Sequence, residues 1–129
     1  MPELPADPSL YGTYGNAEFS RDVIERFPEL RDDLEFDADL LHPQMGTLAA
    51  AVLHAIEKGD ALLPQKICAF LDEALGKPYA IAEIENAVAI SFVEPLQLRK
   101  SSAGRLLLRT MPDRVRKIII EQEDRGGAQ

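Results

Sequence analysis

The chain carries a single cysteine, Cys68, and no apolar stretch that approaches the roughly 20 residues needed to span a bilayer. One cysteine forms no internal disulfide, so a reducing cytoplasm is the expected compartment. The opening segment, Met1 to Leu10, is polar and holds Pro2, Pro5 and Pro8. It has neither the basic region nor the apolar core of a secretory leader, so export and membrane association are not expected. Basic residues are in deficit as well, 14 against 22 acidic, for a net charge of −8. Nucleic-acid affinity comes mostly from neutralising phosphates with Lys and Arg, so that class of partner is disfavoured. GxSxG, HExxH, a Walker loop and GxGxxG are all missing, and with them the best-marked routes to an enzyme.

What remains is a 129-residue chain, 46% apolar, which fits one domain with an ordinary core. Residues 1–15 are punctuated by Pro and Gly and read as an extended arm, pinned by Tyr11 and Tyr14. Residues 16–122 read as one helical domain, and residues 123–129, where the pattern is lost, as a frayed tail. Asn16 is the expected cap of a helix with Phe19, Val23 and Phe27 on one face. Pro28 ends that helix or opens a short second one with Leu30 and Leu34 turned inward. From Pro43, the residues Met45, Leu48, Ala49, Val52, Leu53 and Ile56 repeat in a core-facing rhythm. Gly59 supplies a left-handed stop. Asp60 caps a following helix that buries Ile67, Phe70, Leu71, Ala74 and Leu75, and the short connection predicts an antiparallel hairpin. Pro78 to Glu94 is apolar on nearly every side. Its length and alanine content favour a central helix, although Asn86 to Val93 is also compatible with a buried strand. Ser101 or Ser102 caps a helix carrying Leu106, Leu107 and Leu108, and Pro112 opens a last one with Val115, Ile118 and Ile119. The expected fold is all-α, a compact bundle of five to six helices built from antiparallel helical hairpins.

The residues that carry chemistry elsewhere are sparse. His42 and His54 stand 12 apart, with no His or Cys one turn away from either, so no metal site and no cofactor are expected. His42 sits at a helix entrance and His54 on a polar face. Cys68 lies in an apolar stripe without a cationic neighbour to lower its pKa, which marks a structural thiol. The carboxylate pairs Asp32–Asp33 and Asp37–Asp39 suggest hydrolysis or Ca²⁺ binding, but the glycine and terminal glutamate of an EF-hand loop are lacking. No catalytic residue is assigned. An enzyme, if there is one, is a small hydrolase using His42 and the nearby carboxylates.

Charge is distributed unevenly. From Glu18 to Asp39 there are nine acidic and three basic residues, a net of −6, and from Arg99 to Lys117 seven basic and one acidic, a net of +6. The two segments either pair with each other and otherwise face water, or the acidic one forms a docking face for the basic surface of another protein. The candidate partner-binding residues are Asp32, Asp33, Glu35, Asp37 and Asp39, with His42 and Gln44 beside them. The basic stretch lacks the interleaved aromatics of a single-strand binder.

The block Leu41-His42-Pro43-Gln44-Met45-Gly46-Thr47-Leu48-Ala49, followed by Gly59-Asp60, Phe70, Ala74, Asn86-Ala87-Val88 and Ser91-Phe92-Val93-Glu94, resembles a small all-helical bacterial family. Its members carry Leu-His-x-Gln-Met-Gly and a later Asn-Ala…Ser-Phe…Glu. The preceding Phe27-Pro28-Glu29-Leu30 is also similar, and the likeness covers roughly residues 19 to 120. Leu48 stands where such proteins often have an aromatic residue. The resemblance implies a cytoplasmic immunity-type protein that neutralises a cognate toxin by occluding it, with an adaptor or regulatory domain for another protein as the alternative. Gly46 is expected to let a neighbouring helix approach closely.

Overall fold

The computed structural model describes residues 13–127, with side chains as far as Gln122. These residues form α1 (Asn16–Arg26), a 3-10 turn (Pro28–Leu30), α2 (Arg31–Phe36), α3 (Leu41–Glu57), α4 (Leu62–Leu75), α5 (Ala82–Ala87), a π-helical segment (Val88–Val93), α6 (Glu94–Leu96), a second 3-10 turn (Leu98–Lys100), α7 (Ser102–Arg109) and α8 (Asp113–Gly127). The chain is therefore all-helical among the described residues, with one isolated parallel bridge between Tyr14 and Ala80. Most of the expected arm, including Tyr11, and the last two residues of the expected tail lie outside the described residues.

Tyr14 fastens the start of the domain. Its N–H donates to the Tyr79 carbonyl at 3.1 Å, its carbonyl accepts from Ile81 at 3.0 Å, and its hydroxyl donates to Asp22 at 2.9 Å. Burial, then the Asp22 carboxylate, raises the Tyr14 pKa above the ordinary phenol value. The cap of α1 is Gly15 rather than Asn16; the Glu18 carboxylate accepts the Gly15 N–H at 2.9 Å, as in one half of a capping box. That contact lowers the Glu18 pKa. Phe19, Val23 and Phe27 are buried as the spacing predicts, and the rings of Phe19 and Phe27 each stand 5.6 Å from that of Phe70 on α4.

α3 opens at Leu41, two residues before Pro43. Proline is tolerated there because the first turn has no intrahelical N–H bond to lose. At its end Gly59 adopts φ +77°, and the bonds Gly59 N–H to Ile56 O and Asp60 N–H to Ala55 O close a Schellman motif. Asp60 then accepts the Leu62 N–H at 2.9 Å and so starts α4, which packs against α3. Leu53, expected in the core, lies at the surface, because the stripe of α3 runs through Met45, Leu48, Ala49 and Val52 and is already complete.

The segment expected as a helix from Pro78 begins instead at Ala82. Tyr79 holds a positive φ of 61° and Ala80 is committed to the bridge with Tyr14, so the chain turns before it coils. From there residues 82–96 run as one helical path, and the strand alternative for Asn86 to Val93 is not what forms. Ile84, Ala87, Val88 and Phe92 are fully buried, whereas Ile90 faces outward, so the segment is not surrounded on every side. Pro95 gives the π-helical widening a physical reason: its ring would meet the carbonyl four residues back in a regular α-helix. The Glu94 N–H accordingly reaches back five residues to the Ala89 carbonyl, which also accepts from Gln122 of α8 at 3.3 Å.

Ser101, not Ser102, caps α7 by accepting the Gly104 N–H at 3.0 Å. The close approach expected at Gly46 belongs to Gly104. A Cβ on Gly104 would stand 2.2 Å from the Leu98 carbonyl oxygen, whereas one on Gly46 would meet nothing within 4 Å. Leu107 is buried and Leu106 points to solvent. α8 buries Val115, Ile118 and Ile119 against the π-helical segment and α4.

Candidate protein-docking face

The acidic segment places five carboxylates in the eight positions from Asp32 to Asp39. In the fold, α2 carries Asp32 and Asp33 outward in its first turn, where a helix N-terminus favours negative charge. Glu35 is engaged by Arg31 at 2.6 Å one helical turn away. Asp33, Asp37 and Asp39 make no side-chain ion pair among the described residues. Beside them Phe36 is 89% exposed, and Leu40 is 53% exposed. A nearly bare phenyl ring surrounded by uncompensated carboxylates is unusual on a domain whose other four phenylalanines are buried. Sequence reasoning named the carboxylates but missed the ring. The missed signal is that Phe36 lies two positions from Leu34, so on a helix the two point to different faces.

Gln44, expected on the surface, is completely buried. Its position on the inner side of α3, between Leu41 and Leu48, sets it against α1 and α2. Its Nε2 donates to the Ser20 hydroxyl at 2.9 Å and to the Leu34 carbonyl at 3.0 Å. The same Ser20 oxygen accepts the Asp39 N–H at 3.0 Å, and Asn16 donates to the Asp39 carbonyl at 3.2 Å. Asp39 itself takes a left-handed φ of 64°, a conformation that costs energy for a residue with a Cβ and persists only when its surroundings fix it. Gln44 therefore acts as a bracket beneath the acidic turn. Its Oε1 is buried without a hydrogen-bond partner among the described residues.

His42 is exposed, and its Nδ1 lies 2.6 Å from the Ser91 hydroxyl on the π-helical segment. The contact ties together the two sequence blocks that carried the resemblance, and it involves no carboxylate. His54 is exposed on α3. Cys68 is fully buried, and desolvation pushes its thiol up to about 12. Three open clefts, of about 230, 260 and 350 Å³, lie along α5 and α8 and beside α1 and α4. None of the three is lined by His42, His54, Cys68 or the acidic turn. Among the described residues no group of three His, Cys, Asp or Glu is arranged to hold a metal ion, and no helix is long and apolar enough to cross a membrane.

Among the described residues, the ion pairs do not join the two charge segments to each other. Arg26 pairs with Glu73, Arg31 with Glu35 and Arg114 with Asp72, and none of these joins the acidic stretch to the basic one. Arg105 and Arg116 direct their guanidinium groups at backbone carbonyls, those of Arg99 and of Leu108 and Arg109, and neither pairs with an acidic side chain among the described residues.

Fold and surface together define a small all-helical domain with an acidic, aromatic-centred outer face. The chain belongs to the family described as a domain of unknown function, DUF7674, whose model matches residues 20–126. The match takes in the acidic turn, the Gln44 bracket and both blocks joined by His42 and Ser91. No curated protein and no solved structure matches the chain.

Proposed function

We propose that the chain is a non-enzymatic protein-binding module that docks through Phe36 and the surrounding Asp32, Asp33, Asp37 and Asp39. The observation that carries this reading is the 89% exposure of Phe36 at the end of α2, next to a turn held by a buried bracket. An exposed ring on a mobile tip has little to offer. One on a fixed tip loses little entropy on binding and can serve as an anchor, the kind of residue that dominates interface energetics. The carboxylates add steering toward a basic partner surface and suppress acidic competitors. Glu35 is engaged by Arg31 and contributes less, and Gln44 acts from below rather than by contact. In its finer form the module is an immunity-type protein in the cytoplasm, where its face occludes a basic cleft on a toxin. A regulatory adaptor for another protein is the alternative, and the gene next to this one separates the two.

The test begins with affinity purification from the source organism and identification of what co-purifies. Binding of that protein is then followed for Asp33→Asn/Asp37→Asn/Asp39→Asn and, separately, for Phe36→Ser. The triple variant is expected to lower the association rate and flatten its salt dependence, and Phe36→Ser to raise the dissociation rate at least tenfold. Wild-type rates in both variants would place the interface elsewhere.

A further inference from the structure

The outer side of α7 is exposed among the described residues. Leu106 is 62% exposed, and Lys100, Arg105 and Arg109 lie exposed around it on the same helix and the turn before it. None of these three cations has an acidic side chain paired with it among the described residues. The inner side is fully engaged: Gly104 rests on the Leu98 carbonyl, and Leu107 is buried. The result is an exposed apolar residue with three exposed cations close to it in sequence, opposite in sign to the Phe36 face with its carboxylates. The two faces lie on different parts of the domain, α2 packing on α1 and α3 and α7 on the 3-10 turn Leu98–Lys100. A single copy thus presents both halves of a complementary pair and closes neither.

We infer that these faces are two halves of one head-to-tail contact, in which α7 of one copy seats against the α2 face of a second copy. The reasoning rests on reading the Phe36 face as a docking surface, but not on which other protein uses it. Charge complementarity selects a second copy as occupant: Lys100, Arg105 and Arg109 on one face and Asp32, Asp33, Asp37 and Asp39 on the other reside on the same chain and are present in equal numbers of copies. Nucleic acid is the less favoured occupant of α7, since the patch carries no aromatic side chain for stacking and the molecule bears a net charge of −8. The contact is heterologous, so each copy keeps one face open and association proceeds beyond a dimer unless a ring closes. A partner protein that takes the Phe36 face competes with this association, so self-assembly keeps the face covered until the partner arrives.

The experiment uses sedimentation velocity on the full chain at rising concentration, at 0.05 and 0.5 M NaCl, with two variants, Asp33→Lys/Phe36→Ser and Lys100→Glu/Arg109→Glu. All four positions are exposed, and circular dichroism checks that helix content is kept. The wild type is expected to shift toward larger species with concentration at low salt and to return to monomer at high salt, where screening shortens the reach of charge. Each variant alone is expected to associate at least tenfold more weakly. An equimolar mixture of the two is expected to form a one-to-one dimer and nothing larger, because each variant retains one intact half. A wild type that stays monomeric at low salt overturns the inference, as does a mixture that stays monomeric. Retention of a labelled DNA duplex by the wild type, lost in Lys100→Glu/Arg109→Glu, without self-association, overturns it in favour of nucleic acid. Co-purification of a different protein that depends on Phe36 while the chain stays monomeric refutes self-association and leaves the docking face standing.

Discussion

The bracket beneath the acidic turn makes a quantitative prediction. Replacing Gln44 by Ala removes the bonds to the Ser20 hydroxyl and the Leu34 carbonyl, at 2.9 and 3.0 Å. Each such bond contributes about 0.5–1.5 kcal/mol net, and a buried acceptor left without a donor costs about 1–3 kcal/mol. The missing methylene and amide also leave a cavity in a site from which solvent is wholly excluded. The expected destabilisation of Gln44→Ala is therefore about 3–5 kcal/mol. Gln44→Met nearly preserves the volume and discards the unpartnered Oε1 together with the amide. It should cost only about 1–2 kcal/mol, because the polar loss is partly offset. Urea denaturation followed by circular dichroism at 222 nm measures both. A local readout accompanies the global one: the Asp39 amide, held by Ser20, should lose hydrogen-exchange protection in both variants before the amides of α3 do. A cost below about 1 kcal/mol for Gln44→Ala, or equal costs for the two variants, refutes the account of Gln44 as a packed polar bracket.

Gly104→Ala should destabilise by more than about 2 kcal/mol, since its Cβ would collide with backbone at Leu98, whereas Gly46→Ala, with open space around it, should stabilise by about 0.5–1 kcal/mol; thermal melts decide both signs. Phe92→Ala, fully buried on the π-helical segment, should cost about 3–5 kcal/mol in the same melts, and a loss under 1 kcal/mol would remove that segment from the core. Cys68 should resist a thiol reagent such as DTNB at pH 8 in the folded state and react at once in 6 M guanidinium. Its thiol is held at about 12 when folded against an ordinary value of 9.0, so the folded state keeps the proton more tightly. The associated stability is complete below pH 9 and is lost as the pH climbs toward 12, and Tyr14, also raised, adds to the loss from pH 10 upward. Cys68→Ala should blunt the first part of that alkaline decline.

The helical rhythm was legible wherever a side chain's burial depends on its own helix. Phe19, Val23 and Phe27, the Met45 to Val52 stripe and the Ile67 to Ala74 stripe all turn inward as their spacing requires, because 3.6-residue periodicity is a local property. The Gly59 stop and the Asp60 cap were legible for the same reason. What failed was non-local. The start of α5 is set by Tyr14, some 65 residues earlier in the chain, through a bridge that periodicity does not encode. Gly46 is the sixth residue of α3 and Gly104 the third of α7, and neither neighbourhood in sequence announces a close approach; the backbone of Leu98 is what distinguishes them. The π-helical segment had a local clue in Pro95, which cannot continue a regular helix without relief.

The candidate site divides along the same line. Charge density is additive along the chain, so the carboxylates from Asp32 to Asp39 were readable as a cluster. Whether each carboxylate is free was not readable, because that depends on where the cations settle: Arg31 takes Glu35, and Arg26 goes to Glu73 on α4 instead of to its own segment. Gln44 is the most instructive case. A glutamine beside a histidine at a helix entrance reads as surface, yet it falls on the same helix face as Met45, Leu48 and Val52. A polar residue placed on a buried face must find partners, and here it finds Ser20 and the Leu34 carbonyl. Those partners belong to the elements that carry the acidic turn. A buried amide aimed at α1 and α2 thus connects the interior to the surface: core packing fixes Ser20, Ser20 fixes the strained Asp39 backbone, and that turn fixes the position from which Phe36 projects. Evidence for a docking face then comes less from the exposed residues than from the buried ones spent on holding them still.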